Sequence, residues 1–336
     1  MDWNGVGTGH LEMEMTKQEI IETLLGQGPP DEVLFSSARA VRERHFLSNV
    51  VLRGVVELTN KCRVNCDYCP MRRDNAHNLS PYLLTQDDLV DRAARIRDAS
   101  INVVFIQGGE IPQSTDIIEG AIPRIIDLFE SPVEILLNVG NKTREEYRRL
   151  RSAGASSYIL KHETANSQLY FRHKHERLDA RLRCLHDLLD LGFHVGTGTI
   201  IGLPGQTVED VAEDILLAKE HGVHMVSASP FVPAPGTPLA GEASGSVETT
   251  LRAIALMRLI LPGALIPSVS ALEAIQGGGQ GSGLHAGANV LTVNFSTPER
   301  VNDYLIYGDA RYIVKLDYVR NLLRDHGLIA GHSIWA

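Results

Sequence analysis

Three of the four cysteines in this 336-residue chain fall within eight positions: Cys62, Cys66 and Cys69, in the run Thr59-Asn60-Lys61-Cys62-Arg63-Val64-Asn65-Cys66-Asp67-Tyr68-Cys69-Pro70. Three thiolates at C-x3-C-x2-C spacing on one short loop can each hold one iron of a four-iron four-sulfur cluster, leaving the fourth iron open for a substrate. Zinc is the alternative, with His77 the nearest fourth ligand, although zinc loops more usually supply cysteines as C-x2-C or C-x4-C pairs. A disulfide framework is disfavoured, because three clustered cysteines cannot pair off and nothing else points to an oxidising compartment.

Three further groups stand where apolar runs end. Gln107-Gly108-Gly109-Glu110 joins two glycines, which let backbone approach a ligand, to a carboxylate able to bind an ammonium group. Lys161-His162-Glu163-Thr164 closes another run, and Arg181 lies on the helical stretch that follows. The turn Ile201-Gly202-Leu203-Pro204-Gly205-Gln206-Thr207 feeds a helix start with Glu209 and Asp210 in its first turn. Taken singly, each has an ordinary structural reading: strand-Gly-Gly turns are common, a His-Glu pair is more often structural than catalytic, and an arginine on a helix is usually solvated. Cys184, within the helical stretch 181–191, reads as a core thiol.

Bringing these groups together requires strands that all end on one side. Apolar runs at 50–58, 102–107, 133–139, 156–162, 194–201, 224–231, 265–270 and 289–294 alternate with helical spacing at 84–99, 143–153, 179–191, 207–221 and 247–261. Strands separated by helices pair in parallel, and eight of them close most simply into an α/β fold of the (β/α)8, TIM-like kind. Chemistry then gathers at the carboxyl ends of the strands, where the cysteine loop and the other three groups fall. Upstream, Thr16-Lys17-Gln18-Glu19 is a capping box ahead of Ile20, Ile21, Leu24 and Leu25, and a second amphipathic stretch covers about 31–48. Residues 1–49 are therefore expected to form an N-terminal helical appendage and 50–336 the barrel. The run Gly277 to Gly283 is expected to be a mobile loop between the seventh and eighth units.

A hydrophobic content of 43 % supports a sizeable core, and a net charge of −9 argues against a nucleic-acid surface. The basic clusters at 144–151 and 172–183 read as solvated helix faces. No apolar run approaches the roughly 20 residues needed to span a bilayer, and Met1-Asp2-Trp3-Asn4 lacks a charged-then-apolar signal pattern. The expectation is a cytoplasmic protein, a reducing setting that suits an oxygen-sensitive cluster.

C-x3-C-x2-C with an aromatic before the third cysteine, on the loop after the first strand of a β/α barrel, resembles the signature of the radical S-adenosylmethionine (SAM) superfamily. Gly108-Gly109-Glu110 is similar to that superfamily's methionine-binding turn, and Ile201 to Pro204 to its fifth-strand adenine-contacting motif. From about residue 50 to 328 the resemblance narrows to the group of biotin synthase, methylornithine synthase and the iron-only hydrogenase maturase HydE. The stretches His162-Glu163-Thr164-Ala165-Asn166, Pro230-Phe231-Val232-Pro233 and Gly287-Ala288-Asn289-Val290 look most like HydE.

The resemblance implies a [4Fe-4S] cluster ligated by Cys62, Cys66 and Cys69, and SAM cleaved through its open iron to methionine and a 5′-deoxyadenosyl radical. It also implies that Gly108, Gly109 and Glu110 bind the SAM ammonium, Arg181 the carboxylate and Glu163 the ribose, while Tyr68 and Ile201 approach the adenine. Substrate residues are sought among His162, Ser229, Ser268, Ser270, Asn294, Tyr304 and Tyr307, with His162, Tyr304 and Tyr307 as catalytic candidates. The expected partners are a small, amino-acid-sized substrate and an electron donor such as flavodoxin or ferredoxin, with neither nucleic acid nor membrane. Hydrogenase cofactor maturation is the leading function. A methylornithine-synthase-like rearrangement, sulfur insertion of the biotin or lipoyl synthase kind, and a non-catalytic iron–sulfur or zinc module are the alternatives. Sulfur insertion is the less favoured, because Cys184 alone cannot hold an auxiliary cluster.

Overall fold

The structure is a computed structural model and describes residues 14–335. The reading of residues 1–4, and the first part of the expected appendage, lie outside the described residues. Seven parallel strands form the scaffold: β1 Asn49–Glu57, β2 Val103–Gln107, β3 Glu134–Asn138, β4 Ser157–Ile159, β5 His194–Ile201, β6 Met225–Pro230 and β7 Val290–Asn294. Their order is β6-β5-β4-β3-β2-β1-β7. Seven of the eight apolar runs thus became strands.

The run at 265–270 did not. Leu265 bridges Met225 of β6 and Pro267 bridges Val290 of β7, and no ladder forms between them. Pro267 has no N–H to donate, and a helix, Ser270–Ile275, starts three residues on. The stretch still joins the two edges of the sheet: Val226 N donates to Leu265 O at 3.1 Å and Asn289 N to Ile266 O at 2.8 Å. An irregular stave therefore completes the ring in place of a regular strand.

Strand residues are buried on both faces. Val51, Val55, Val103, Phe105, Leu136, Met225, Leu265 and Val290 pack inside, while Val56, Val104, Ile106, Ile135, Leu137, Val195 and Val226 pack outward against helices. Double burial is why the strands read as continuous apolar runs. The signalled helix starts are real: Thr16, Thr85, Thr143 and Thr207 close capping boxes with Glu19, Asp88, Glu146 and Asp210. Helices Lys17–Leu24 and Asp31–Phe46, ahead of β1, pack on helices Val208–Glu220 and Val247–Ile260. At the other end of the chain, β8 (Ile329–Gly331) pairs with the start of β1, and Trp335 stacks on His194 under the barrel, 4.5 Å between ring centroids.

The glycine-rich run is not a loop. Gly279–His285 is helical, entered through Gly278 at φ 80°. A Cβ on Gly279 would lie 2.3 Å from Leu272 O, and one on Gly283 2.2 Å from Ser268 Oγ. Here the glycines permit close packing, not mobility. No described helix is long and apolar enough to cross a membrane.

Candidate functional site

A cavity of about 350 Å³ opens at the carboxyl ends of the strands, and Cys62, Cys66 and Cys69 all line it. The cysteine loop is stitched to the turn after β2: Gly109 N donates to Thr59 O at 3.1 Å, Arg63 N to Glu110 O at 2.9 Å, and Glu110 N to Cys62 Sγ at 3.4 Å. A Cβ on Gly109 would sit 2.0 Å from Lys61 O, so only glycine lets the two loops meet. Burial pushes the Cys62 and Cys69 thiols up, and a thiolate there needs a bound cation. Among the described residues no three His, Cys, Asp or Glu side chains converge on a single-ion position. Three thiols facing one cavity without meeting at a point fit a polynuclear cluster, each iron taking one thiolate, better than a lone zinc.

Around the thiols, the expected residues fall into three groups. Gly108, Gly109, Glu110, Glu163, Arg181 and Tyr68 all line the cavity. Glu110 is buried; one carboxylate oxygen pairs with Arg63 and the other accepts from Asn141 N at 2.9 Å. The Arg181 side chain is buried, 3 % exposed, and its Nε donates to Tyr170 Oη at 3.1 Å. Burial opposes its charge, but Tyr170, Glu110 and Glu163 together hold it protonated. Among the described residues it has no ion-pair partner, and it lines the cavity. The Tyr68 ring packs on Leu169, Ile200, Leu203, Phe231 and Leu239.

Glu163 has φ 61°. Thr164 N donates to His162 O at 2.7 Å, closing a γ-turn about it. Just upstream, Leu160 N donates to Gly196 O and Glu163 N to Gly198 O, so three steps on this strand match two on β5, a bulge. The turn aims the Glu163 carboxylate into the cavity, where Oε2 has no hydrogen bond and Lys161 Nζ stands 3.6 Å away.

His162 and Ile201 are placed elsewhere. On β4 and its extension Ile159, Lys161 and Glu163 face the cavity, and alternation turns His162 to the outer side. There its Nδ1 meets Thr197 Oγ1 at 2.8 Å and its Nε2 stands 3.6 Å from buried Asp214. Asp214 also accepts from Thr199 Oγ1, Ala165 N and, at 3.2 Å, Gln206 Nε2. This knot braces the turn from behind, because Thr199 Oγ1 also reaches Glu163 O at 3.0 Å. Ile201 likewise packs outward, and its neighbour Ile200 lines the cavity. Both displacements follow the two-residue period of a strand.

Deeper and toward the later strands, Ser229, Ser268, Ser270, Asn294, Tyr304 and Tyr307 all line the cavity. Ser229 Oγ lies 3.4 Å from Tyr307 Oη, and burial with nearby Glu57 pushes the Tyr304 phenol up. Several lining residues escaped sequence reasoning. Arg53 is 3 % exposed; burial pulls its guanidinium down to about 10, and its Nη2 lacks a partner among the described residues. Glu57 pairs with Arg311 and accepts from Asn294 Nδ2 at 3.2 Å, yet burial still raises its carboxyl. Lys174, buried at the end of helix Ser167–Lys174, also lines the cavity. The available signal for the first two was a charge on the inward parity of a doubly buried strand, with Val51 and Val55.

Comparison with known proteins agrees with this geometry. The family described as the Radical SAM superfamily matches residues 56–218, and the Biotin and Thiamin Synthesis associated domain matches residues 227–329. The [FeFe] hydrogenase maturase subunit HydE of Thermotoga maritima is 36 % identical over 297 residues, 88 % of this chain and 84 % of that protein. The 3-methylornithine synthase of Methanosarcina barkeri is 27 % identical over 87 % of this chain and 83 % of its own. The crystal structure of a methylornithine synthase shares the fold with a TM-score of 0.79 at 22 % identity, covering 95 % of both chains. The chain therefore belongs to the radical SAM superfamily, enzymes that use a [4Fe-4S] cluster and S-adenosylmethionine.

Proposed function

We propose that this enzyme is HydE-like: it cleaves SAM to act on a small ligand with an anionic end, in the maturation of a hydrogenase cofactor. The observation that carries the reading is the meeting, in one cavity, of three thiols, a buried arginine with no ion-pair partner among the described residues and a strained glutamate. Cys62, Cys66 and Cys69 would hold the cluster, which when bound supplies the electron that breaks a carbon–sulfur bond of SAM.

The chain's own residues do the rest. Arg181 presents free guanidinium donors for the SAM carboxylate. Glu110, held by Arg63 and the Asn141 amide, accepts from the ammonium, and the unpaired oxygen of Glu163 accepts from the ribose. Tyr68 and Ile200 give the adenine an apolar wall. Farther in, Arg53 is a buried charge, in register with Thr292 and with a donor that has no partner among the described residues, and it selects for a carboxylate or similar anion. The Ser229–Tyr307 pair and Tyr304 close the substrate side. The electron reaches the enzyme from a flavodoxin or ferredoxin.

The reading is tested by replacing HydE with this protein in a defined [FeFe]-hydrogenase maturation mixture. Hydrogen evolution is expected. Formation of 5′-deoxyadenosine with an inactive hydrogenase would keep the radical chemistry and reject the maturation role.

A further inference from the structure

We propose that the outer rim of the cysteine loop, together with the segment after helix Ser167–Lys174, is the docking surface for a small acidic one-electron carrier protein. The proposal rests on the radical SAM reading of the cavity. In the step it serves, one electron leaves the reduced carrier, which is oxidised, and enters the site bounded by Cys62, Cys66 and Cys69, with no bond made or broken between the two proteins.

The two segments form one surface. Asp67 N donates to His173 O at 2.8 Å, His175 Nε2 meets Asp67 Oδ1 at 2.7 Å, and Arg63 approaches Glu176 at 3.5 Å. The loop's far side is joined on through Arg73 N to Val64 O at 2.9 Å. The three cysteines lie on this loop, so a carrier bound to its outer side stands beside the cluster position.

Its charge opposes that of the whole chain. Of the nine Lys and Arg in residues 61–77 and 171–183, Arg72, Lys174 and Arg181 are buried, and Lys61, Arg63, Arg73, Arg172, Arg177 and Arg183 are exposed, within a chain of net charge −9. Two of the four acids are turned in, with the Asp67 side chain 13 % exposed and Glu176 21 %, and the exposed pair, Asp74 and Asp179, stands beside Arg73 and Arg177, themselves 64 % and 78 % exposed. Arg73 pairs with Asp74 at 3.5 Å and Arg177 with Asp179 at 3.0 Å, but exposed pairs are weak and leave the arginines free to exchange partners. Phe171, on the helix that leads into the rim, is 60 % exposed. An exposed aromatic beside arginines is the composition of an interface hot spot, and the basic field steers an acidic partner toward it.

The test uses the full chain with its cluster reconstituted, and compares it with the double variant Arg73→Glu, Arg177→Glu and with Phe171→Ala. 5′-Deoxyadenosine formation is measured with dithionite, a small chemical reductant, and with an acidic flavodoxin kept reduced by its reductase. Dithionite-driven rates are expected to be unchanged. Flavodoxin-driven kcat/KM should fall about tenfold or more in the double variant at low salt, the difference shrinking in roughly 0.5 M salt. Equal flavodoxin-driven rates in all three proteins would overturn the docking surface. Failure of the unaltered protein even with dithionite would instead overturn the reading on which it rests.

Discussion

Glu163 sets conformational strain against function most openly. A non-glycine residue at φ 61° in a γ-turn costs on the order of 1–3 kcal/mol, whereas glycine there costs roughly 0.5–1 kcal/mol in chain entropy. Strain outweighs entropy, so Glu163→Gly is expected to keep or slightly raise the melting temperature while weakening SAM binding by about tenfold or more. Calorimetry and equilibrium dialysis check the two arms, and a destabilised variant with normal SAM affinity would show that the turn is no functional device. The sequence named Glu163 but could not show its backbone, because a positive φ there is imposed by the Thr199–Asp214 knot from another strand and helix. His162 and Ile201 went astray for a simpler reason. In a run buried on both faces, apolarity no longer marks which parity faces inward.

Among the elements, helix Gly279–His285 carries the clearest stability consequence. Gly279→Ala drives a methyl against the Leu272 carbonyl, a backbone atom that cannot swing aside, and should cost about 1–3 kcal/mol. Gly277→Ala meets nothing within 4 Å and serves as the control. Urea unfolding of both separates the packed helix from a mobile loop, for which the two variants would behave alike. Compositional bias misled here because a glycine-rich run looks the same whether it flexes or nestles; only Ser268 and Leu272, brought in by the irregular stave, decide it. Elements with their own signals were legible: the capping box at Thr16 and the strands with long apolar runs. The strand expected at 265–270 was not, since Pro267 suits a bridge between two sheet edges as well as it suits an end.

For the molecule as a whole, closure beneath the barrel is pH-sensitive. His194 and His224, packed with Trp335, have imidazoles lowered by burial, His194 further by Arg151 and His224 by His194. A lowered folded value means the neutral form is favoured, so the stability these groups give is complete above their ordinary value of 6.5 and is lost as the pH falls through the folded value. Melting temperature should hold between about pH 7 and 8 and decline below about pH 6, and the double variant His194→Gln, His224→Gln should flatten that decline. A wild-type profile level across the range would remove the histidines from the closure. Barrel class and chemical end were readable from the strand rhythm and the place of the cysteine loop, whereas the cofactor pair came with the family resemblance, the thiol spacing alone leaving zinc open. On the substrate side Ser229, Ser268, Ser270, Asn294, Tyr304 and Tyr307, named from the sequence, line the cavity, whereas Arg53 and Glu57 on β1 were missed and Arg311 reaches Glu57 only when the ring closes.

The central claim is that the three thiols build a cluster which SAM engages directly. Electron paramagnetic resonance of the anaerobically reconstituted, reduced protein, with and without SAM, tests it most directly. The expected result is a reduced-cluster signal that changes when SAM is added, persists in Cys184→Ala and vanishes in Cys62→Ala. Bound zinc in place of the cluster, or a cluster signal indifferent to SAM, would contradict it.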